Sequence, residues 1–77
     1  MIEYHVVLPF IRNAAGELVA EEPLEVRTAP AAIAKARGMA PRKAGVIAFS
    51  RKGEPATGDY APAVELVRLG EVPDDLD

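Results

Sequence analysis

Apolar and polar residues fail to alternate in one stretch of the chain, Ala44-Gly-Val-Ile-Ala-Phe-Ser-Arg51. Residues 46–49 are apolar on both faces of any strand they form. A strand of that kind lies inside a sheet and is covered by another element. We therefore expect this segment to be the central strand, with Ile47 and Phe49 in the core and the Ala-rich segment before it as the cover.

Residues 2–11 alternate well enough to predict a first strand. One face carries Ile2, Tyr4, Val6, Leu8 and Phe10, and the other carries Glu3, His5 and Val7. We assign the first of these faces to the core and place Val7 on a face that the helix leaves uncovered. Asn13 and Gly16 then predict a hairpin turn.

The return strand is predicted in two pieces, because Pro23 interrupts it and places it at a sheet edge. Thr28 is a competent N-cap, so a helix begins directly after it. The residue before Pro41 is pushed away from helical angles, and we therefore end the regular helix near Ala40, with a further turn to Lys43.

A polar loop precedes the last predicted strand, which begins at Tyr60 and runs to Leu69. The order β-β-α-β-β predicts an α+β fold with one helix packed on a four-stranded, mainly antiparallel sheet. The pattern leaves two strand orders open, 2-1-3-4 and the β-grasp-like 2-1-4-3. Residues 1–77 are expected to form a single small domain, with residues 70–77 as a flexible acidic tail.

The chain has 77 residues, no cysteine and a formal net charge of -3. The lack of cysteine excludes disulfides, thiolate metal sites and cysteine nucleophiles. The first residues lack the basic and apolar regions of a signal peptide, and no apolar run approaches the roughly 20 residues that a membrane span needs. We expect a cytoplasmic protein that does not contact a membrane.

No catalytic, metal-binding or cofactor-binding motif is recognisable. His5 has no partners at metal-ligand spacing, so we expect it to be an exposed or half-packed strand residue. Ser50 lacks the glycines of a nucleophile elbow and is assigned to packing or turn structure. The acidic residues and the loop at residues 53–58 match neither a calcium loop nor a phosphate cradle. We predict a protein that is not an enzyme and holds no cofactor.

The remaining candidate is an interaction surface made of cations at the helix end and the central strand end, namely Arg37, Arg42, Lys43, Arg51 and Lys52. Nucleic-acid binding usually comes with a basic domain and interleaved aromatic residues. This chain is acidic, and no aromatic residue lies among these cations. We expect contact with another protein, and a nucleic-acid-binding accessory protein is the alternative.

Four stretches carry a resemblance to known sequences: Val6-Val-Leu-Pro-Phe10, Gly45-Val-Ile-Ala-Phe-Ser-Arg51, Gly53-Glu-Pro-Ala-Thr-Gly58 and Leu69-Gly-Glu-Val-Pro-Asp-Asp-Leu76. Together they resemble a group of short bacterial proteins of uncharacterised function, with an Ala-rich helix, an Ala-Phe-Ser-Arg strand and a Gly-Glu-Val-Pro tail. The resemblance implies no activity and no site residue. The leading hypothesis, a small protein-interaction module that forms a homodimer or binds another protein, rests instead on apolar residues on both faces of two strands, a small core and an uneven distribution of charge.

Overall fold

The computed structural model describes residues 2–74, and in this part of the chain six strands form one sheet beside one α-helix. The elements are β1 (Ile2–Arg12), β2 (Leu18–Ala20), β3 (Leu24–Val26), α1 (Ala29–Met39), a short 3-10 helix (Ala40–Arg42), β4 (Gly45–Glu54), β5 (Asp59–Tyr60) and β6 (Val64–Gly70). The predicted α+β class is confirmed. The end of the predicted acidic tail, residues 75–77, lies outside the described residues.

The strands β1 and β4 form the centre of the sheet and pair with each other from Ile2↔Gly53 to Phe10↔Gly45. Both β2 and β3 pair with the outer side of β1, so they are the two pieces of the predicted second strand. Both β5 and β6 pair with β4. All of these pairings are antiparallel, and they correspond to the predicted order 2-1-3-4 rather than to the β-grasp-like order.

The break between β2 and β3 lies beside a proline of the central strand. Pro9 has no N–H, and its carbonyl oxygen accepts a hydrogen bond of 2.9 Å from the backbone N–H of Glu21. Since a strand residue directs its N and its C=O to the same side, the missing donor of Pro9 faces Glu21. The ladder therefore loses one hydrogen bond where the outer strand is interrupted.

The core lies between α1 and one face of the sheet. Its fully buried members are Val7, Ala32, Ala36, Val46 and Ala48. Because the two helix residues in this cluster are alanines, α1 can lie close to the sheet. Half-buried apolar residues surround the cluster: Leu24, Val26, Met39, Ala40, Leu66, Val67 and Leu69.

The position of Val7 overturns the predicted orientation of the first strand. Val7 is 0% exposed on the face that α1 covers. On the other face, which is the predicted core face, Phe10 is buried at 3% exposure, but Tyr4, Val6 and Leu8 are only half-buried. Alternation alone cannot identify the covered face, because β1 carries apolar residues on both. The pairing of Val7 with Ala48 places it among the small residues that α1 packs against.

The predicted turn and cap residues are confirmed. Gly16 has a φ of 80°, in the left-handed region, and its N–H donates to the Asn13 carbonyl at 2.9 Å. The Thr28 hydroxyl accepts a hydrogen bond of 3.1 Å from the N–H of Ala31, which caps α1 at its start. The helix ends at Met39 and continues as the short 3-10 helix, as the sequence predicted.

Candidate functional site

The face of the sheet opposite α1 carries a row of incompletely covered apolar and aromatic side chains. We call this surface the open face, and its residues are Tyr4, Val6, Leu8, Phe49, Arg51 and Tyr60. The cross-strand pairs Tyr4↔Arg51 and Val6↔Phe49 put these side chains on one side of the sheet. A cleft of about 590 Å³ lies above them and is bordered by Pro23 and Glu25 on the β3 side.

Aromatic rings and a guanidinium group meet at one end of the open face. The ring centroids of Tyr4 and Tyr60 lie 6.3 Å apart, and the guanidinium carbon of Arg51 lies 5.6 Å from the Tyr60 centroid. The Arg51 Nε donates a hydrogen bond of 2.9 Å to the Ala61 carbonyl. A side chain at Gly53 would collide with the Tyr60 ring, so the ring lies directly over this glycine.

This arrangement changes the acidity of one tyrosine. Partial desolvation raises the pKa of the Tyr4 phenol above its ordinary value of 10.0, with further contributions from Tyr60 and from the carboxylates of Glu25 and Glu54. All of these neighbours disfavour a negative charge on the phenol. The Tyr4 phenol, whose pKa is raised, therefore stays protonated to a higher pH than an ordinary tyrosine.

The opposite border of the open face is formed by β6, which contains a bulge. The register between β4 and β6 shifts between Ala48 and Phe49, so β6 does not alternate strictly along its length. As a result Glu65 and Arg68, three residues apart, lie on the same face. Their side chains form hydrogen bonds of 2.9 Å and 2.7 Å, a pair that strict alternation would have separated.

The remaining end of this sheet face is crossed by residues 71–74. A side chain at Gly45 would collide with the backbone of Glu71, which shows that the chain passes over this glycine. Arg68 donates hydrogen bonds to the carbonyls of Val72 and Pro73 at 3.5 Å and 3.4 Å. The side chains of Glu71 and Arg12 also form an ion pair. The described part of the predicted tail is thus attached to the sheet.

The two residues assigned to the core of the central strand have different environments. Ile47 is 5% exposed, which confirms its burial, but it lies on the side opposite α1. Phe49 is only half-buried and belongs to the open face, so its assignment to the core is wrong. The reason is that α1 covers Val46 and Ala48, the smaller side chains of the same strand.

A polar pair lies on the helix side of the sheet. Nδ1 of His5 and Oγ of Ser50 are 2.7 Å apart, and the two residues are 7% and 8% exposed. Nε2 of His5 is 3.4 Å from a carboxylate oxygen of Glu3. His5 is therefore buried and hydrogen-bonded, contrary to the expectation of an exposed or half-packed residue. Strand pairing, which the spacing of the two residues does not reveal, brings it to Ser50.

The five predicted interaction cations do not form one patch. Arg42 and Lys43 precede the start of β4, whereas Arg51 lies six residues beyond Gly45, about 20 Å along the strand. Arg51 and its neighbour Lys52 point to opposite faces of the sheet.

Lys43 and Arg37 also differ in their surroundings. Lys43 forms an ion pair of 2.6 Å with Glu21, and Arg37 is exposed on α1. Of the five cations, only Arg51 belongs to the open face. The helix end and the strand end therefore lie at different ends of the sheet.

The described residues contain neither a cluster of metal ligands nor a helix that could span a membrane. Within residues 2–74, no group of three or more His, Cys, Asp and Glu side chains is arranged to hold a metal ion. In the same part of the chain, no helix has the length and apolar character required to span a membrane.

Comparison with known proteins adds no relative: no family model, no curated protein and no solved structure matches the chain.

Proposed function

We propose that the protein is a small, non-enzymatic interaction module that self-associates, with the open face of one copy packed on the open face of a second copy. The observation that carries the proposal is the position of Tyr4, Val6, Leu8 and Phe49, which form an apolar row on the side of the sheet opposite α1. Apolar groups grouped on a surface are typical of interaction sites.

The charges around the open face favour a second copy as the occupant. The chain carries a net charge of -3, so two copies repel each other over most orientations. The four charged residues of this region are two acids and two bases: Glu25, Glu65, Arg51 and Arg68. Two copies can therefore approach through this face without net repulsion.

The edges of the sheet are poorly suited to association by strand addition. The outer strand on one side is interrupted between β2 and β3, where Pro23 lies. The β6 edge on the other side contains the bulge and the Glu65–Arg68 pair. Interruptions, bulges and charges of this kind protect edge strands from pairing with other chains. Association through the face is therefore favoured over association through an edge.

The dimensions of the open face indicate a weak dimer. Four strands spaced about 4.8 Å apart span about 14 Å between the outermost strand axes, and the rows from Ile2 to Leu8 extend about 20 Å. The resulting footprint of about 300 Å² per copy is below that of standard protein interfaces and is of the size found in weak, transient contacts. At about 25 cal/mol per Å², hiding an entirely apolar area of this size contributes about 7 kcal/mol per copy before the cost of association. We expect association at about ten to a hundred micromolar.

Sedimentation equilibrium tests this proposal. The wild-type protein should show a mass that rises with concentration, while Phe49→Arg, which places a charge in the centre of the open face, should remain monomeric. Ala34→Arg on the exposed side of α1 is the matched control, because it introduces the same charge elsewhere. It should associate like the wild type.

A monomeric wild type across this concentration range would overturn the proposal. Equal loss of association in Phe49→Arg and Ala34→Arg would also overturn it, because the effect would then come from net charge. If Phe49→Arg does not fold, Tyr60→Ala replaces it, since Tyr60 is 49% exposed and its ring lies on the same face. That variant should weaken association while keeping the circular dichroism spectrum of the wild type.

A further inference from the structure

The cleft above the open face is lined by two charged residues, Arg51 and Glu25, that find no ion-pair partner within residues 2–74. Glu65 and Arg68 satisfy each other. Arg51 donates its Nε to a backbone carbonyl and lies beside the Tyr60 ring, but no carboxylate within the described residues pairs with it. Glu25 likewise has no ion pair or hydrogen bond in this part of the chain. One positive and one negative side chain of the same cleft therefore have no ion-pair partner within residues 2–74.

These two groups are held apart within one chain. Glu25 lies opposite Val6, which lies opposite Phe49, and Arg51 is two residues further along β4. The backbones of Glu25 and Arg51 are therefore about 12 Å apart, since they are separated by two strand spacings across the sheet and two residues along it. The hydrogen bond to Ala61 also directs the Arg51 side chain toward the β5–β6 connection, away from β3. An ion pair within one copy is therefore disfavoured.

A symmetric dimer provides a partner for both groups. In an isologous contact every interaction occurs twice, so a single Arg51–Glu25 contact between copies satisfies both leftover charges of both chains. The guanidinium group offers Nη donors that its contact with Ala61 does not use, and a carboxylate can accept two of them. Both residues line the same cleft as the apolar row, so the pair would form beside an apolar contact that excludes water.

We infer that Arg51 and Glu25 are the specificity-determining pair of the self-association, with each Arg51 bound to Glu25 of the second copy. This inference rests on the proposed function. It adds the recognition contact that fixes how the two open faces are oriented, and it gives a role to the charged side chain that lies beside the apolar row. Charge pairs across an interface determine orientation and partner choice more than affinity.

The test is a charge exchange measured by sedimentation equilibrium. Glu25→Arg and Arg51→Glu should each weaken association at least about tenfold, because each places like charges opposite each other. The two variants mixed in equal amounts should associate with an affinity within about threefold of the wild type, since both contacts in the mixed dimer again join opposite charges. The chain that carries both substitutions should recover in the same way.

Matched controls distinguish the effect of net charge on association from the effect of the position of the charge. Glu22→Arg changes the charge by the same amount as Glu25→Arg at a neighbouring exposed site outside the cleft, and Lys52→Glu does so for Arg51→Glu on the opposite face. Both controls should associate like the wild type. If Arg51→Glu does not fold, Arg51→Gln replaces it in the single-variant measurement and should also weaken association.

The outcomes distinguish this inference from the proposed function. A monomeric wild type removes both. A dimeric wild type whose single variants associate normally, or whose mixture fails to recover, overturns the Arg51–Glu25 contact and leaves self-association through the open face in place. Weakening by the controls equal to that of the variants also overturns the contact.

Discussion

Oγ of Ser50 lies 2.7 Å from Nδ1 of His5, although the two residues are 45 positions apart in the chain. They face each other across β1 and β4 on the side of the sheet covered by α1. Both side chains are almost fully buried, so each provides the hydrogen bond that the other loses when it leaves water. The pair joins the two central strands close to the apolar core.

Removing one member of this pair should destabilise the protein. Ser50→Ala leaves a buried ring nitrogen of His5 without its partner, and we expect it to lower the free energy of unfolding by about 1 to 3 kcal/mol. Urea denaturation followed by circular dichroism measures the change. An unchanged midpoint would show that water reaches His5 and that the hydrogen bond contributes nothing.

The double variant His5→Leu with Ser50→Ala is the control for this prediction. It removes both polar groups together, so no buried group is left unsatisfied, and its free energy of unfolding should lie closer to that of the wild type than the single variant's does. A double variant less stable than Ser50→Ala would indicate that the imidazole ring contributes mainly by packing.

The sequence predicted the elements of this fold better than the faces they present. Thr28, Asn13 and Gly16 act within a few residues of themselves, so their roles as cap and turn residues could be inferred locally. The covered face of β1 depends instead on its pairing with β4 and on the small residues of α1. Since both faces of β1 are apolar, alternation could not assign Val7 to the core.

The open face could not be predicted from the sequence for the same reason. The larger size of Phe49 favours a place in the core, but α1 packs against Val46 and Ala48, because alanines on both sides allow a closer approach. The Glu65–Arg68 pair depends on a bulge that no glycine or turn residue at that point of β6 indicates in the sequence. Proximity in the sequence does not bring the predicted cations into one patch, because β4 carries Arg51 to the end of the sheet opposite Lys43.

Two glycines should respond in opposite ways to the same added methyl group. Gly38 lies in α1 with no atom close to the position of an added Cβ, so Gly38→Ala should stabilise the protein by about 0.5 to 1 kcal/mol. At Gly45 an added Cβ would collide with the backbone of Glu71. Gly45→Ala should therefore lower stability, since residues 71–74 must move away from the sheet.

Thermal unfolding of both variants at equal concentration measures this difference. Equal effects of the two substitutions would contradict the path of residues 71–74 over Gly45. Arg68→Ala provides an independent check, because it removes the hydrogen bonds to the carbonyls of Val72 and Pro73. Amide hydrogen exchange in residues 71–74 should become faster in Arg68→Ala and in Gly45→Ala, and should stay unchanged in Gly38→Ala.

The raised pKa of Tyr4 predicts a loss of stability in alkaline solution. In the unfolded chain the phenol ionises near its ordinary value of 10.0, whereas in the folded protein desolvation and the neighbouring Tyr60 and carboxylates keep it protonated to higher pH. The contribution of Tyr4 to stability is therefore fully present below pH 10.0 and is lost as the pH rises through the folded-state pKa. The free energy of unfolding should fall over this range more steeply in the wild type than in Tyr4→Phe.

A titration of Tyr60→Phe measures the pKa of Tyr4 directly, because Tyr4 is the remaining tyrosine in that variant. The midpoint of its phenolate absorbance should lie above 10.0. It should also lie below the pKa of Tyr4 in the wild type, because one of the groups that raise this pKa is gone. A midpoint at or below 10.0 would mean that the Tyr4 hydroxyl is fully hydrated and that the cleft of the open face does not enclose it.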